Sequence, residues 1–224
     1  MTATALPLQI DVVSDVVCPW CIVGYLQLQS ALAQMPGEFD VSLRWHPFEL
    51  NPQMPDEGQE LREHLVQKYG PAAGRGSGTR TRLVELGEAL GFKFDYFDGM
   101  RIYNTFKAHQ LLTWAQEQGK QTELKLALFE AFFSRRENVG DDAQLAAVCA
   151  RVGLPVQGAL DVLNEGTYAA AVRAEESHWL EREVHAVPAF FFQNSYMVPG
   201  AQEAQAFVRL LTRIRERELA VVSQ

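Results

Sequence analysis

Apolar and polar positions change rhythm twice along the chain, dividing it into three stretches. In the first, Leu8 to Val13 alternates as a strand does, Ser14 and Asp15 mark a turn, and Ile22 to Met35 takes up helical spacing. Ile22, Tyr25, Leu26, Leu28, Ala31 and Leu32 are that helix's apolar positions, and Pro36-Gly37 stops it. Val41, Leu43 and Trp45 then alternate with Ser42, Arg44 and His46, which predicts a second strand. The second stretch, 51–164, is mostly helical. Leu61, Leu65 and Tyr69 share one face, and further helices are expected over Thr81–Leu90, over Thr122–Arg135, from Asp141 or Asp142 to Arg151, and onward from Pro155. Another should run to Gln118 with Asn104 as its cap. Between them Gly70 to Gly78, with four glycines and Pro71, reads as a mobile loop. The third stretch returns to mixed character: a helix over Thr167–Glu183, an apolar strand over Val187–Phe192, a turn at Gln193–Ser195, a short strand over Tyr196–Val198 and a last helix from Ala201 to Leu219.

A chain of 224 residues makes one large domain, or a smaller one carrying an insertion. Its formal net charge of −8 makes a general nucleic-acid binder a poor expectation, because phosphate affinity rests on clustered positive charge. No run reaches the roughly 18 apolar residues of a membrane span. Met1 to Pro7 carries no Lys or Arg and leads straight into the first strand, unlike a secretory signal, so a cytoplasmic location is expected. A mature exported chain would have lost such a signal.

The three cysteines are too few for a disulfide-stapled scaffold. Cys149 lies among Ala146, Ala147, Val148 and Ala150 and reads as a buried, inert thiol. The other two form Cys18-Pro19-Trp20-Cys21 at the first strand-to-helix junction. A structural zinc site needs four ligands, and no second pair has the spacing, so no metal is expected. Thiol–disulfide exchange needs a thiolate, and a helix start offers unpaired N–H groups and a positive dipole end. Cys18 is therefore expected to be exposed, with a depressed pKa, as the nucleophile; Cys21, one turn on, would resolve the mixed disulfide. Pro19 suits the first helical turn, and Trp20 offers an apolar surface beside the sulfur. Val187-Pro188, just before the apolar strand, is the second element. With the flanking pattern it makes the ends of the chain two halves of a thioredoxin fold, in which such a proline is cis and faces the CxxC. The backbone before that proline would dock a peptide by strand addition.

Five segments together resemble a known family: Ser14-Asp-Val-Val-Cys-Pro-Trp-Cys-Ile-Val-Gly24, His46-Pro-Phe-Glu-Leu-Asn-Pro52, Asn104-Thr-Phe-Lys-Ala-His109, Val187-Pro188 and Gly200-Ala-Gln202. They look like the DsbA-like thioredoxin family, and within it the FrnE-like dithiol–disulfide oxidoreductases. The resemblance implies an α/β thioredoxin fold, residues 1–50 and 165–224, interrupted by an α-helical insertion domain, residues 51–164, that roofs the active site. It implies disulfide oxidoreductase or isomerase activity on protein or peptide thiols, with Cys18, Cys21 and Pro188 at the centre and no cofactor beyond the redox disulfide. Glutathione or a thioredoxin-type protein would serve as reductant; monomer and dimer both stay open. The superfamily also holds glutathione-dependent 2-hydroxychromene-2-carboxylate isomerases and kappa-class transferases, which typically place serine where Cys18 stands. A chaperone-like peptide binder is a third alternative.

Lesser candidates belong to the substrate groove. His109 would line it or adjust the thiolate charge, with helix packing as the competing expectation. His46 would form part of its wall, although a plain strand exit also explains His46-Pro47-Phe48. Asn104 would contact substrate or, more simply, cap its helix. The insertion's large side chains, Phe106, Trp114, Phe129, Phe132 and Phe133, are core material that could border an apolar cleft beside Cys18.

Overall fold

The computed structural model describes residues 5–73 and 77–222. In chain order its elements are β1 (Leu6–Ser14), α1 (Pro19–Ala33), β2 (Phe39–Pro47), β3 (Gln59–Glu60), α2 (Leu61–Tyr69), α3 (Ser77–Ala89), β4 (Arg101–Ile102), α4 (Phe106–Glu117), α5 (Gln121–Phe133), α6 (Asp142–Arg151), α7 (Val156–Glu165), α8 (Ala169–Glu181), β5 (Ala189–Phe192), β6 (Tyr196–Pro199) and α9 (Ala204–Val222). The main sheet has the order β2-β1-β5-β6. It draws its strands from both ends of the chain, and the helical insertion lies between them in sequence. β1 pairs with β2 in parallel and with β5 antiparallel, so Val13 lies opposite His46 on one side and Ala189 on the other. A central strand covered on both faces should be a near-continuous apolar run, and Ile10, Val12 and Val13 are all fully buried.

The alternation of β5 distributes its three phenylalanines between the two faces of the sheet. Phe190 and Phe192 meet Phe207 of α9, with ring centroids 5.2 and 6.1 Å apart, whereas Phe191 meets Trp179 of α8 at 4.8 Å. Close packing on the first face needs a glycine in α1. A Cβ on Gly24 would lie 3.1 Å from the Phe190 ring and 3.3 Å from the Ala201 Cα.

The insertion is fastened to the sheet through Trp45. Its backbone N–H donates to Gln121 Oε1 (2.9 Å), its carbonyl accepts from Gln121 Nε2 (2.8 Å), and its indole N–H donates to Thr122 Oγ1 (3.0 Å). One glutamine side chain thus satisfies the backbone of the edge strand much as a neighbouring strand would. The Trp45 ring then packs between Tyr25 of α1 and Phe129 of α5.

Some expectations are corrected. α1 starts at Pro19, whose missing N–H costs nothing in the first turn. α3 starts at Ser77, ahead of the expected Thr81, and positions 74–76 of the expected loop lie outside the described residues. The β3–β4 ribbon inside the insertion is too short for periodicity to reveal. The insertion's large aromatic side chains are core material, as expected, with Trp114, Phe129, Phe132 and Phe133 all buried.

Candidate active site

Cys18 occupies the N-cap position of α1 with extended backbone angles (φ −90°, ψ 112°), and Pro19 opens the first turn. Its N–H donates to the Asp15 carbonyl at 3.3 Å, and its own carbonyl accepts from the Cys21 N–H at 3.1 Å, so the two cysteines are held one turn apart. Both are free thiols. The Cys18 thiol donates to the Val187 carbonyl at 3.7 Å, bringing together segments 169 positions apart. The Val187–Pro188 bond is cis, as expected, and the Pro188 carbonyl accepts from the Gly200 N–H at 2.7 Å. Pro19, Trp20 and Val187 are half-buried around the pair. Cys18 itself is only 4% exposed, which corrects the expectation of an exposed sulfur, and the Val187 carbonyl of the opposing loop faces it.

Burial also corrects the expected charge behaviour. The Cys18 thiol is held well above the usual thiol range, first by its hydrogen bond with the Cys21 thiol, then by burial, then by the charges of Cys21 and Asp15. The backbone N–H of Cys21 works the other way, as the helix start should, and is outweighed. Asp15 is fully buried, yet its carboxyl lies below the ordinary range. Burial alone would raise it, and the opposing contributions of His109, the Leu50 N–H and Lys125 prevail. His109 Nε2 sits 3.3 Å from Asp15 Oδ1, and the Leu50 N–H donates to Asp15 Oδ2 at 2.8 Å. Completely buried Lys125 donates to the Ser14 carbonyl at 3.3 Å.

The lesser candidates separate. His109 is 1% exposed, so it offers no surface to a substrate, and its Nε2 meets Asp15 instead. His46 is clamped between Asp11 Oδ1 and Glu175 Oε1, each at 2.7 Å, against the Trp179 ring; it is part of the scaffold. Asn104 is not the N-cap of α4, which is Thr105. Its Oδ1 accepts from the Phe106 N–H at 2.9 Å and its Nδ2 donates to the Met54 carbonyl at 3.3 Å, tying the helix start to a loop. Asp15 and Lys125 stood out least in the sequence. Asp15 resembled any turn residue. Lys125 did carry a signal, a charge on the apolar stripe of Leu128, Phe129, Phe132 and Phe133.

A cavity of about 570 Å³ opens beside this centre, lined by Leu50, Asn51, Met54, Gly58, Gln67 and Lys68 among others. The Lys68 ammonium donates to the Leu50 carbonyl and Asn51 Oδ1; burial lowers its pKa, and the charges of Asp15 and Cys18 work against that. Among the described residues no trio of His, Cys, Asp or Glu is grouped to hold a metal ion, and no helix is long and apolar enough to cross a membrane.

Comparison with known proteins places this arrangement. The chain is 27% identical over 212 residues to the uncharacterized protein YwbO of Bacillus subtilis strain 168, covering 92% of this chain and 97% of that one. The crystal structure of a probable DsbA oxidoreductase from Streptomyces coelicolor superposes with a TM-score of 0.86 at 30% identity, covering 92% of this chain and 89% of that one. The cytosolic disulfide reductase DsbM of Pseudomonas aeruginosa, solved with GSH, shares the fold at a TM-score of 0.60 and 15% identity, over 96% of this chain and all of that one. The DSBA-like thioredoxin domain model matches residues 9–212, and the chain belongs to that family.

Proposed function

We propose that the chain exchanges disulfides with protein or peptide thiols through Cys18 and Cys21. The observation that carries this reading is the Cys18 sulfur at a helix N-cap, against the Val187 carbonyl, with Cys21 in the next turn. In the oxidising direction a substrate thiolate attacks Cys18 Sγ, the Cys18–Cys21 bond breaks and Cys21 leaves as thiolate. A second substrate thiolate then attacks the substrate sulfur of the mixed disulfide and Cys18 leaves. The substrate gains a disulfide and the pair takes two electrons. The reverse sequence reduces a substrate, with two equivalents of glutathione, or a thioredoxin-type protein, restoring the dithiol. Attack followed by return of the same electrons isomerises. Residues 1–50 and 165–224 carry this chemistry and residues 51–164 cover it. The cavity beside Lys68 takes the part of the substrate that flanks its sulfur. A glutathione-dependent small-molecule isomerase needs one sulfur at most, and the free second thiol, Cys21, favours the dithiol reading.

Reduction of insulin disulfides by glutathione or dithiothreitol tests the reading. The wild-type chain should accelerate it, Cys18→Ser should abolish the acceleration, and Cys21→Ser should accumulate mixed disulfides visible on non-reducing gels. Equal activity of wild type and Cys18→Ser would overturn it.

A further inference from the structure

The side chains around the 570 Å³ cavity leave it an uneven set of hydrogen-bonding groups. His64 Nδ1 lies 2.9 Å from Gln59 Oε1, and an amide oxygen only accepts, so the ring nitrogen donates. Gln59 Nε2 donates in turn to Gln67 Oε1 (2.9 Å), and Lys68 donates to Asn51 Oδ1 (2.7 Å). The amide oxygens of Gln59, Gln67 and Asn51 are thus each occupied. The groups of Gln67 and Asn51 left for a guest are their N–H donors.

Charge points the same way. Among the described residues no aspartate or glutamate lines the cavity, and Lys68 is the cation in its wall. The Lys68 ammonium meets two neutral oxygens, the Leu50 carbonyl (2.8 Å) and Asn51 Oδ1, and keeps a third N–H. Asp15, on the other side of Leu50, receives His109 and the Leu50 N–H and forms no ion pair with Lys68. Burial and the Lys68 charge hold His64 below the usual histidine range, so at neutral pH its Nε2 is an acceptor. The wall therefore offers one positive charge, two amide donors and one acceptor beside the apolar surface of Leu50 and Met54. That set matches a carboxylate carried on a backbone with its own N–H, and it is wrong for a cation. Leu50 ties the cavity to the sulfur: its N–H donates to Asp15 Oδ2 (2.8 Å), and the Asp15 carbonyl accepts from the Cys18 N–H (3.3 Å).

We propose that this cavity selects peptide substrates that carry an aspartate or glutamate a few residues from the reacting cysteine, the carboxylate being bound by Lys68, Gln67 and Asn51. The proposal rests on the disulfide-exchange reading and deepens it by naming what the cavity recognises. A chain of net charge −8 repels acidic substrates at long range, so the local donors at Lys68 and Gln67 reverse a preference that the molecule as a whole would set.

Paired disulfide-linked peptides test this on the whole chain. They are identical except for aspartate or asparagine, placed in turn at each of the positions flanking the cysteine, and dithiothreitol, which carries no charge, is the reductant. At the best position the wild type should favour the aspartate peptide about tenfold in kcat/KM, mainly through KM. Concentrated salt should shrink that preference. Gln67→Glu keeps the oxygen that faces Gln59 but replaces the donor by an acid, and should turn the preference toward asparagine. Lys68→Met should leave the two peptides nearly equal. Because the two peptides are compared within one protein, partial unfolding cancels, and Gln67 is exposed, so its substitution spares the core. Equal rates at every position in the wild type, or an aspartate preference unaltered in Gln67→Glu, would overturn the proposal. So would a preference for glutathione over its neutral diester with none among the peptides, which would assign the cavity to a small thiol. A wild-type chain that reduces neither peptide would remove the exchange reading itself and this proposal with it.

Discussion

At Cys18 the helix start and the surrounding protein act in opposite directions. The N-cap position favours an anion, but the Cys21 thiol, the loss of water and the Asp15 carboxylate favour the proton. The thiolate fraction of the reduced chain should therefore be small at neutral pH and climb through the alkaline range. Alkylation of Cys18 by iodoacetamide should keep accelerating above the usual thiol midpoint, and a plateau below neutrality would contradict that direction. Cys149 does not interfere, since burial pushes its thiol up to about 12. These residues show what a sequence carries and what it conceals. The CPWC spacing located the sulfurs, and likeness to the thioredoxin fold located the proline that faces them. Burial of Cys18 involves a loop 169 positions away, which the CPWC segment does not encode.

The helix α8 illustrates how one element is held by charges. Arg173 pairs with Glu49 and with Glu176 (2.8 Å), the Glu49 N–H donates to Glu176 Oε1 (3.1 Å), and Glu175 takes His46 and Arg44. Burial alone would lower the His46 pKa. Its bonds to Asp11 and Glu175 outweigh burial and raise it, while Asp11 and Glu175 are lowered. The stability from a raised histidine is complete below its unfolded value and fades as pH rises through the folded one; that from lowered carboxylates fades as pH falls through theirs. The clamp is therefore strongest in mildly acid solution, between the two. Removing His46 leaves two carboxylates facing each other, so His46→Ala should cost about 3 kcal/mol there and less at alkaline pH. Urea unfolding across the pH range measures this, and a pH-independent cost would count against it. Amphipathic spacing revealed α8 itself. Its partners were not legible, because Asp11 and His46 sit in alternating strand positions that read as ordinary solvent-facing polar residues.

For the molecule as a whole, the proposed docking of substrate in the cavity lined by Leu50, Gln67 and Lys68 predicts that large substrates and small ones respond differently to bulk there. Gln67 lines it without touching either sulfur, and bulk there should obstruct a peptide but not a small disulfide. Gln67→Trp is expected to raise KM for insulin several-fold while leaving the DTNB reaction unchanged; equal effects on both would place the substrate elsewhere. The α/β class with a helical insertion was readable in the sequence because strand-forming segments gather at the two ends and helical spacing fills the middle. The shape of the cavity was not readable, since it depends on how the Leu50–Gly58 loop meets α2 across a turn that leaves no periodic trace.

The strand order has a consequence for synthesis. A ribosome releases β1 and β2 early, but the antiparallel neighbour that covers the other edge of β1 begins only at Ala189. Until then Val12 and Val13 border an open strand edge, and Cys18 has no Val187 carbonyl to face. Open edges of this kind attract strands from other chains. The nascent protein thus carries Cys18 uncovered until residues 187–199 emerge, and that one segment both completes the sheet and faces the sulfur.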